Sequence, residues 1–310
     1  MILSRGTGLS VEGSSRFPPL MPQDAHLPNF LGVGPPRTGT TWLDAMMRGR
    51  VGLPRGSKET LFFSFRYSKG LDWYAWHFLN CPTAAPIGEF CPSYFYAAGA
   101  KERIAATLAD CKIISTLRDP VERLYSSYRA THGLAGLGSF ADFLRRTPSV
   151  VDASRYATHL GRWIELFGRA NVLVLFFDDL QTDPGSYLGS LCDFIGVERI
   201  NLTPNEAATR INQAPGVPRS RQLGEISRQL VLQLESHRMY KLLGFLSRRP
   251  LWRKILHSHR SHDSIPSAIE AALRQQFLPE VEALESMLSR DLAHWKPARV
   301  EYQEQLAAFT

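Results

Sequence analysis

The residues best suited to chemistry sit near the front of the chain, in the stretch LGVGPPRTGTTWL at residues 31–43. An apolar run ends at Gly34, a turn of Pro35, Pro36, Arg37 and Thr38 follows, and Gly39 opens onto Thr40, Thr41 and Trp42. A buried strand that passes through a glycine turn straight into a helix aims backbone N–H groups and the helix's positive end at one point. That point is a place for an anion. Gly34 and Gly39 have the spacing of the nucleotide-phosphate motif G-x-x-x-x-G-K-[ST], but Thr40 stands where that motif has its lysine. Without a lysine to bridge the outer phosphates, and with no evident acidic partner for Mg²⁺, hydrolysis of ATP or GTP by this loop is disfavoured. The turn offers instead one permanent cation, Arg37, among the hydroxyls of Thr38, Thr40 and Thr41. That set suits phosphates held without a metal.

A second group follows another apolar run, in RDPVERLYSSY at residues 118–128. Arg118 ends the run, and Ser126 lies eight residues on, one to two turns into the next helix. Open α/β sheets bind ligands beyond the carboxyl ends of their strands, so a forked guanidinium and a hydroxyl placed there can clamp a second phosphate. An ordinary structural ion pair is the competing reading for Arg118. His77, His132 and His159 are candidate proton acceptors, and each is explained equally well by a core or surface position. Cys81, Cys91, Cys111 and Cys192 form no CxxC pair and have no metal-ligand spacing. Cys81 and Cys91 are close enough in sequence to bond. Small buried thiols in a reducing compartment are the alternative.

The elements that must carry these residues alternate. Apolar runs at residues 29–34, 87–90, 111–118 and 171–177 predict short buried strands. Helices are predicted over 40–50, from Pro120 to about residue 131, over 156–167 on the spacing of Leu160, Trp163, Ile164 and Phe167, and over 185–195. This alternation implies an α/β fold, a P-loop-like parallel β-sheet flanked by helices on both faces, with a helical C-terminal region. There Leu278, Val281, Leu284, Leu288 and Leu292 recur at helical spacing, and residues 213–221 form a loop with clustered arginines. The expected organisation is a loosely ordered leader at 1–28, one domain at 29–296 that is mainly helical from 221, and a tail at 297–310. A chain that is 44% hydrophobic and 21% charged is globular rather than disordered. It contains no apolar run of about 18 residues for a membrane span, and its first residues lack the apolar core of a signal peptide, so a cytoplasmic location is expected. The net charge of +7 suits an anionic ligand. The basic residues are dispersed rather than clustered, so no nucleic-acid partner is expected.

With these placements in view, PPRTGTTWL resembles the 5′-phosphosulfate loop of the sulfotransferases that use 3′-phosphoadenosine 5′-phosphosulfate (PAPS). RDPVERLYSSY resembles their 3′-phosphate motif. SKETLFF, at residues 57–63, is similar to the Lys-Glu segment of the glycan-modifying branch, and residues 172–184 and 278–295, ending in RDLAHW, are similar to bacterial members. The likeness spans about residues 29–296. It implies metal-independent transfer of a sulfuryl group from PAPS to an acceptor, leaving adenosine 3′,5′-bisphosphate. The acceptor group would be a sugar, lipid or natural-product hydroxyl. In this reading Arg37 neutralises charge on the leaving oxygen, where many relatives carry lysine; arginine acts there by charge and hydrogen bonding, not as an acid. Pro36, Thr38, Gly39, Thr40 and Thr41 cradle the 5′-phosphate, while Arg118 and Ser126 hold the 3′-phosphate. The resemblance makes Glu59 the general base and brings Lys58 to the donor or acceptor anion. Two roles stand for Trp42, contact with the adenine or packing in the core, and two for Arg219, closure over the nucleotide or a solvated basic loop. A P-loop small-molecule kinase and a non-catalytic nucleotide-fold binding protein are the rival readings. Neither the acceptor's identity, nor transfer to oxygen rather than nitrogen, nor the oligomeric state is set by the sequence.

Overall fold

The computed structural model describes residues 27–79, 81–82, 84–135, 138–208 and 264–298. Four short strands, β1 (Phe30–Gly32), β2 (Gly88–Phe90), β3 (Lys112–Leu117) and β4 (Val172–Phe176), form one parallel sheet in the order β2-β1-β3-β4. Each is one to three residues shorter than the apolar run that predicted it, because the ends of the runs already belong to turns. Side chains alternate across the sheet as the strand period requires. Phe30, Ile114 and Leu175 point to one face, where they meet Trp42, Leu43 and Met47 of the helix Thr40–Met47 and Leu188 and Leu191 of the helix Pro184–Ile195. Leu31 and Ile113 point to the other, against Ile104 of the helix Ala100–Thr107, Leu160 and Trp163 of the helix Tyr156–Phe167, and Val281 and Leu284 of the helix Ser267–Leu288. With both faces covered, the strands are mostly apolar, as buried parallel strands are, with Glu89 in β2 and Ser115 and Thr116 in β3 as buried polar exceptions.

The chain leaves β1 toward β2 on one side and reaches β3 on the other. Strand order therefore reverses between β1 and β3, and the crevice beyond their carboxyl ends is where sheets of this kind bind ligands. The turn after β1 and Arg118 after β3 both open onto it. Gly34 lets the turn lie directly on β3: a Cβ built there would come 2.1 Å from Thr116 Oγ1, 2.4 Å from its backbone nitrogen and 2.6 Å from its carbonyl oxygen. Two of those atoms belong to the backbone of a central strand and cannot step aside. Gly34→Ala is accordingly expected to cost about 3 kcal/mol or more, read as a lowered denaturant midpoint or as insoluble protein.

The C-terminal helix differs from its sequence reading in one respect. Its buried stripe is Leu273, Phe277, Val281 and Leu284, whereas Leu278 is only partly covered. Leu292 is buried after the helix has ended, beyond the left-handed Ser289 (φ 50°). From there the segment braces the carboxyl end of the sheet. Arg290 grips Asp179 with two bonds of 2.9 and 2.7 Å, and His294 Nε2 and Trp295 Nε1 reach Asp178 at 2.9 and 3.2 Å. Arg274 bonds both Asp119 and the Trp295 carbonyl at 3.0 Å. The Trp295 ring is buried between Tyr156 and Phe176. All four cysteines are free thiols. Cys91 lies buried at the end of β2 beside Ser93 Oγ, and Cys81 faces the Leu53 carbonyl, so the possible bond between them is not made.

His159 is held between Lys101 Nζ, 3.2 Å from Nδ1, and Asp152 Oδ2, 2.9 Å from Nε2. Burial, helped by the Lys101 charge and opposed by Asp152, pushes its pKa below the ordinary 6.5. The unfolded chain therefore takes up a proton near pH 6.5 that the native chain refuses. The stability is present in full above that value and falls as the pH drops below it. Denaturant midpoints measured between about pH 7.5 and about pH 5.5 are expected to decline, and to decline less in His159→Gln.

Candidate active site

The phosphate loop is built by two left-handed residues, Arg37 (φ 76°) and Gly39 (φ 97°). Among the described residues only Arg37, Leu61 and Ser289 adopt positive φ without being glycine. Two of those three lie in the predicted site, which is where backbone strain tends to be retained. Thr38 is fully buried; its hydroxyl donates to the Pro35 carbonyl at 2.7 Å and so accepts from Thr116 Oγ1 at 2.6 Å. In this state that hydroxyl pins the loop to β3, and the Thr38 backbone N–H is the group of this residue placed to meet an anion. Gly39 precedes the helix Thr40–Met47 with no side chain capping the helix start. The first N–H groups of that helix thus face the crevice as donors for an anion.

The structure joins the two phosphate motifs directly. Arg37 Nε donates to Ser126 Oγ at 3.0 Å, across 89 residues of chain. Burial lowers the Arg37 pKa, and the charges of Arg118 and Arg129 lower it further. A buried cation with two further cations near it favours an anion, whose arrival would offset the repulsion that Arg37 feels. Arg118 lies just past β3. Its carbonyl accepts from Tyr156 Oη at 2.8 Å, its guanidinium packs 4.6 Å over the Phe177 ring, and it pairs with Glu122 at 2.7 and 3.2 Å. The ion-pair reading of Arg118 is therefore realised in this state, with a partner carboxylate that is itself half exposed.

Lys58 and Glu59 lie against the start of the Thr40 helix. Lys58 Nζ is 3.0 Å from Glu59 Oε1 and 3.4 Å from Thr40 Oγ1. A cation from a distant segment thus stands beside the very residue that replaces the motif lysine. Glu59 is one-third exposed and so is open to an incoming acceptor. Behind the pair, buried Asp44 chelates Arg48 through two bonds of 2.9 and 3.1 Å, and burial raises its pKa despite the Arg48 and Lys58 charges. Pro36 and Thr41 are half-buried on the loop and first turn.

Trp42 takes the second of its two predicted roles. Its ring is 3% exposed and packs edge-on against Tyr187 at 6.1 Å within the core. Of the candidate histidines, His77 is enclosed by Trp73 and Trp76, and His159 by Lys101 and Asp152. The side chain of His132, and the whole of residues 219–221 with Arg219, lie outside the described residues. Most aromatic residues between 62 and 95 are core, Phe62, Phe63, Trp73 and Tyr94 among them, while Phe65 and Tyr67 stand exposed beside them. Sequence reasoning missed Arg129, one turn beyond Ser126, although the helical period would have shown it. It also missed Glu89, whose signal was a lone carboxylate inside an apolar strand.

Comparisons with known proteins agree with this geometry. A crystal structure of a sulfotransferase from Alicyclobacillus acidocaldarius shares the fold, with a TM-score of 0.59 and 20% identity over 87% of this chain and 99% of that one. Human heparan sulfate glucosamine 3-O-sulfotransferase 3A1 is 32% identical over 216 residues, 64% of this chain and 53% of its own. Mouse bifunctional heparan sulfate N-deacetylase/N-sulfotransferase 4 is 31% identical over 56% of this chain and 22% of its own. The chain spans about half the length of the human 3-O-sulfotransferase and less than a quarter of the mouse protein. No helix among the described residues is long and apolar enough to cross a membrane. The sulfotransferase-domain profile matches residues 27–214, and the chain belongs to that family, whose members are PAPS-dependent transferases.

Proposed function

We propose that this chain transfers a sulfuryl group from PAPS to an acceptor hydroxyl, with a sugar hydroxyl the first choice over a lipid or natural product. The observation that supports the reading is the Arg37–Ser126 contact, which brings the two phosphate motifs together, with the charges of Arg118 and Arg129 near enough to Arg37 to lower its pKa. The uncapped start of the Thr40 helix completes a surface that fits a doubly phosphorylated nucleotide. When bound, PAPS supplies the activated sulfuryl group and departs as adenosine 3′,5′-bisphosphate.

Each residue then has a defined task. The loop backbone at 38–41 and the hydroxyls of Thr40 and Thr41 hold the 5′-phosphate, and Arg118 with Ser126 holds the 3′-phosphate, Arg118 exchanging Glu122 for it. Arg37 faces the oxygen on which negative charge grows as its bond to sulfur breaks, and stabilises that charge without giving up a proton. Glu59, oriented by Lys58, takes the acceptor proton as the new S–O bond forms. Alignment and charge neutralisation supply the rest, as in phosphoryl transfer. The free cysteines support a cytoplasmic setting.

The test is transfer from labelled PAPS to a panel of glycans, phenols, steroids and lipids in the presence of chelator, followed by mass spectrometry for the gain of one SO₃. Label on an acceptor with chelator present, and none from ATP, is the expected result. Transfer from ATP alone, restored by Mg²⁺, would establish a kinase instead. Tight bisphosphate binding without transfer to any acceptor would establish a binding protein.

A further inference from the structure

Beneath the Lys58–Glu59 segment lies a carboxylate that the proposed chemistry does not use. Glu89 is the middle residue of β2 and is fully buried. A carboxylate taken from water into a core is tolerated only where its oxygens are well supplied with donors. Glu89 has four: Oε2 accepts from the Thr60 backbone N–H at 3.0 Å, and Oε1 accepts from Thr60 Oγ1 at 3.1 Å, Tyr74 Oη at 3.0 Å and Tyr94 Oη at 2.7 Å. Burial still raises its pKa while those four bonds pull it down.

Two of the four bonds go to Thr60, the residue after Glu59. The chain needs holding there, because the next residue, Leu61, is left-handed at φ 57°, a conformation in which its Cβ crowds the backbone. The same hydroxyls secure the start of the short helix Phe62–Phe65: Thr60 Oγ1 accepts from the Phe62 N–H at 3.2 Å and Tyr94 Oη from the Phe63 N–H at 3.4 Å. On the other side, Ser57 Oγ donates to the Glu59 carbonyl at 2.9 Å. The bend that presents Lys58 and Glu59 to the Thr40 helix is therefore anchored on β2 through one buried side chain.

We propose that Glu89 is a positioning residue for the transfer reaction: its carboxylate grips Thr60, with Tyr74 and Tyr94 completing the clamp, and so fixes Glu59 and Lys58 against the phosphate loop. This rests on Glu59 being the base. Glutamine at 89 keeps the grip, since its amide oxygen still accepts the Thr60 N–H while its two N–H hydrogens can donate to two of the three hydroxyls once these turn to accept. Alanine removes the grip and takes away the acceptor of the Thr60 N–H and of the Tyr74 hydroxyl in the core, while Tyr94 Oη keeps Thr60 Oγ1 at 3.1 Å.

The experiment measures kcat, normalised to sites titrated with adenosine 3′,5′-bisphosphate, for Glu89→Ala, Glu89→Gln, Tyr94→Phe and Thr60→Val, and for Glu89→Ala within Glu59→Gln. A displacement on the scale of 1 Å is expected to lower kcat by about 100-fold in Glu89→Ala and by about 10-fold in Tyr94→Phe and Thr60→Val, with the bisphosphate Kd little changed. Glu89→Gln is expected to recover most of that loss. Adding Glu89→Ala to Glu59→Gln is expected to cost nothing more, because a clamp has no effect once the group it positions is gone. If Glu89→Ala does not fold, Tyr94→Phe and Thr60→Val decide. An inactive Glu59→Gln alongside clamp variants with wild-type kcat overturns the proposal alone. A fully active Glu59→Gln overturns the base assignment on which it rests.

Discussion

Glu59→Gln is expected to lower kcat by about 10²–10⁴-fold and to leave the affinity for adenosine 3′,5′-bisphosphate unchanged. The amide retains the shape of the carboxylate, and its carbonyl oxygen can still accept from Lys58 Nζ, 3.0 Å away in the native pair. Only the capacity to take the acceptor's proton is lost. That capacity matters at the moment the acceptor oxygen bonds to sulfur, when the hydroxyl proton becomes strongly acidic and must go somewhere. The proposed nucleotide contacts belong to Arg37, Arg118, Ser126 and the helix start, so bisphosphate affinity is expected not to sense the change. Steady-state kinetics with the best acceptor, paired with calorimetric titration of the bisphosphate, separates the two effects. Undiminished turnover would move the proton to another group.

Arg37→Gly is the second large effect, and it separates activity from stability. The backbone at residue 37 sits at φ 76°, where glycine is at ease and arginine is not. The wild-type side chain is also desolvated and repelled by Arg118 and Arg129. Removing it relieves both costs and forfeits the 3.0 Å bond to Ser126, so the net stability is expected to stay within about 1 kcal/mol of wild type. Turnover, by contrast, is expected to fall by about 10²–10³-fold, the usual effect of deleting one donor aimed at developing negative charge. Denaturant melts and kcat measured on the same preparations test both halves. A variant that is destabilised and still active would show that Arg37 holds the loop together rather than serving the leaving group.

Much of this was legible in the sequence because parallel strands buried on both faces are continuous apolar runs, and each of the four was visible. Gly34, Gly39 and Arg118 could be placed from the strand ends alone. The sequence could not show where the Thr38 hydroxyl points, because one that faces a phosphate and one that faces Thr116 look the same in one dimension. Trp42 was ambiguous for a similar reason: an indole in the first turn of a helix faces either the crevice or the core, depending on where Tyr187 lies, more than 140 residues later. Val281, Leu284 and Leu292 are buried as expected, but Phe277 rather than its apolar neighbour Leu278 is the buried residue, because it packs with Val121, Leu124 and Phe143, a choice the pattern could not make. Glu89 gave the sequence only a lone carboxylate in an apolar run, with nothing to say what it holds. A carboxylate in a strand reads as an edge residue until its four donors, drawn from residues 60, 74 and 94, are seen around it.

The brace formed by Arg274, Arg290, His294 and Trp295 has a consequence for biosynthesis. A ribosome has delivered all four strands by Phe176, yet Asp119, Asp178 and Asp179, at the rim that carries Arg118, find their basic partners only about a hundred residues later. A nascent chain at that stage holds those three carboxylates at the end of the sheet without the basic groups that pair with them in the finished fold. Removal of residues 264–298 is therefore expected to strip these partners from Asp119, Asp178 and Asp179 and to empty the cleft between Tyr156 and Phe176 that the Trp295 ring fills, read as a lowered denaturant midpoint.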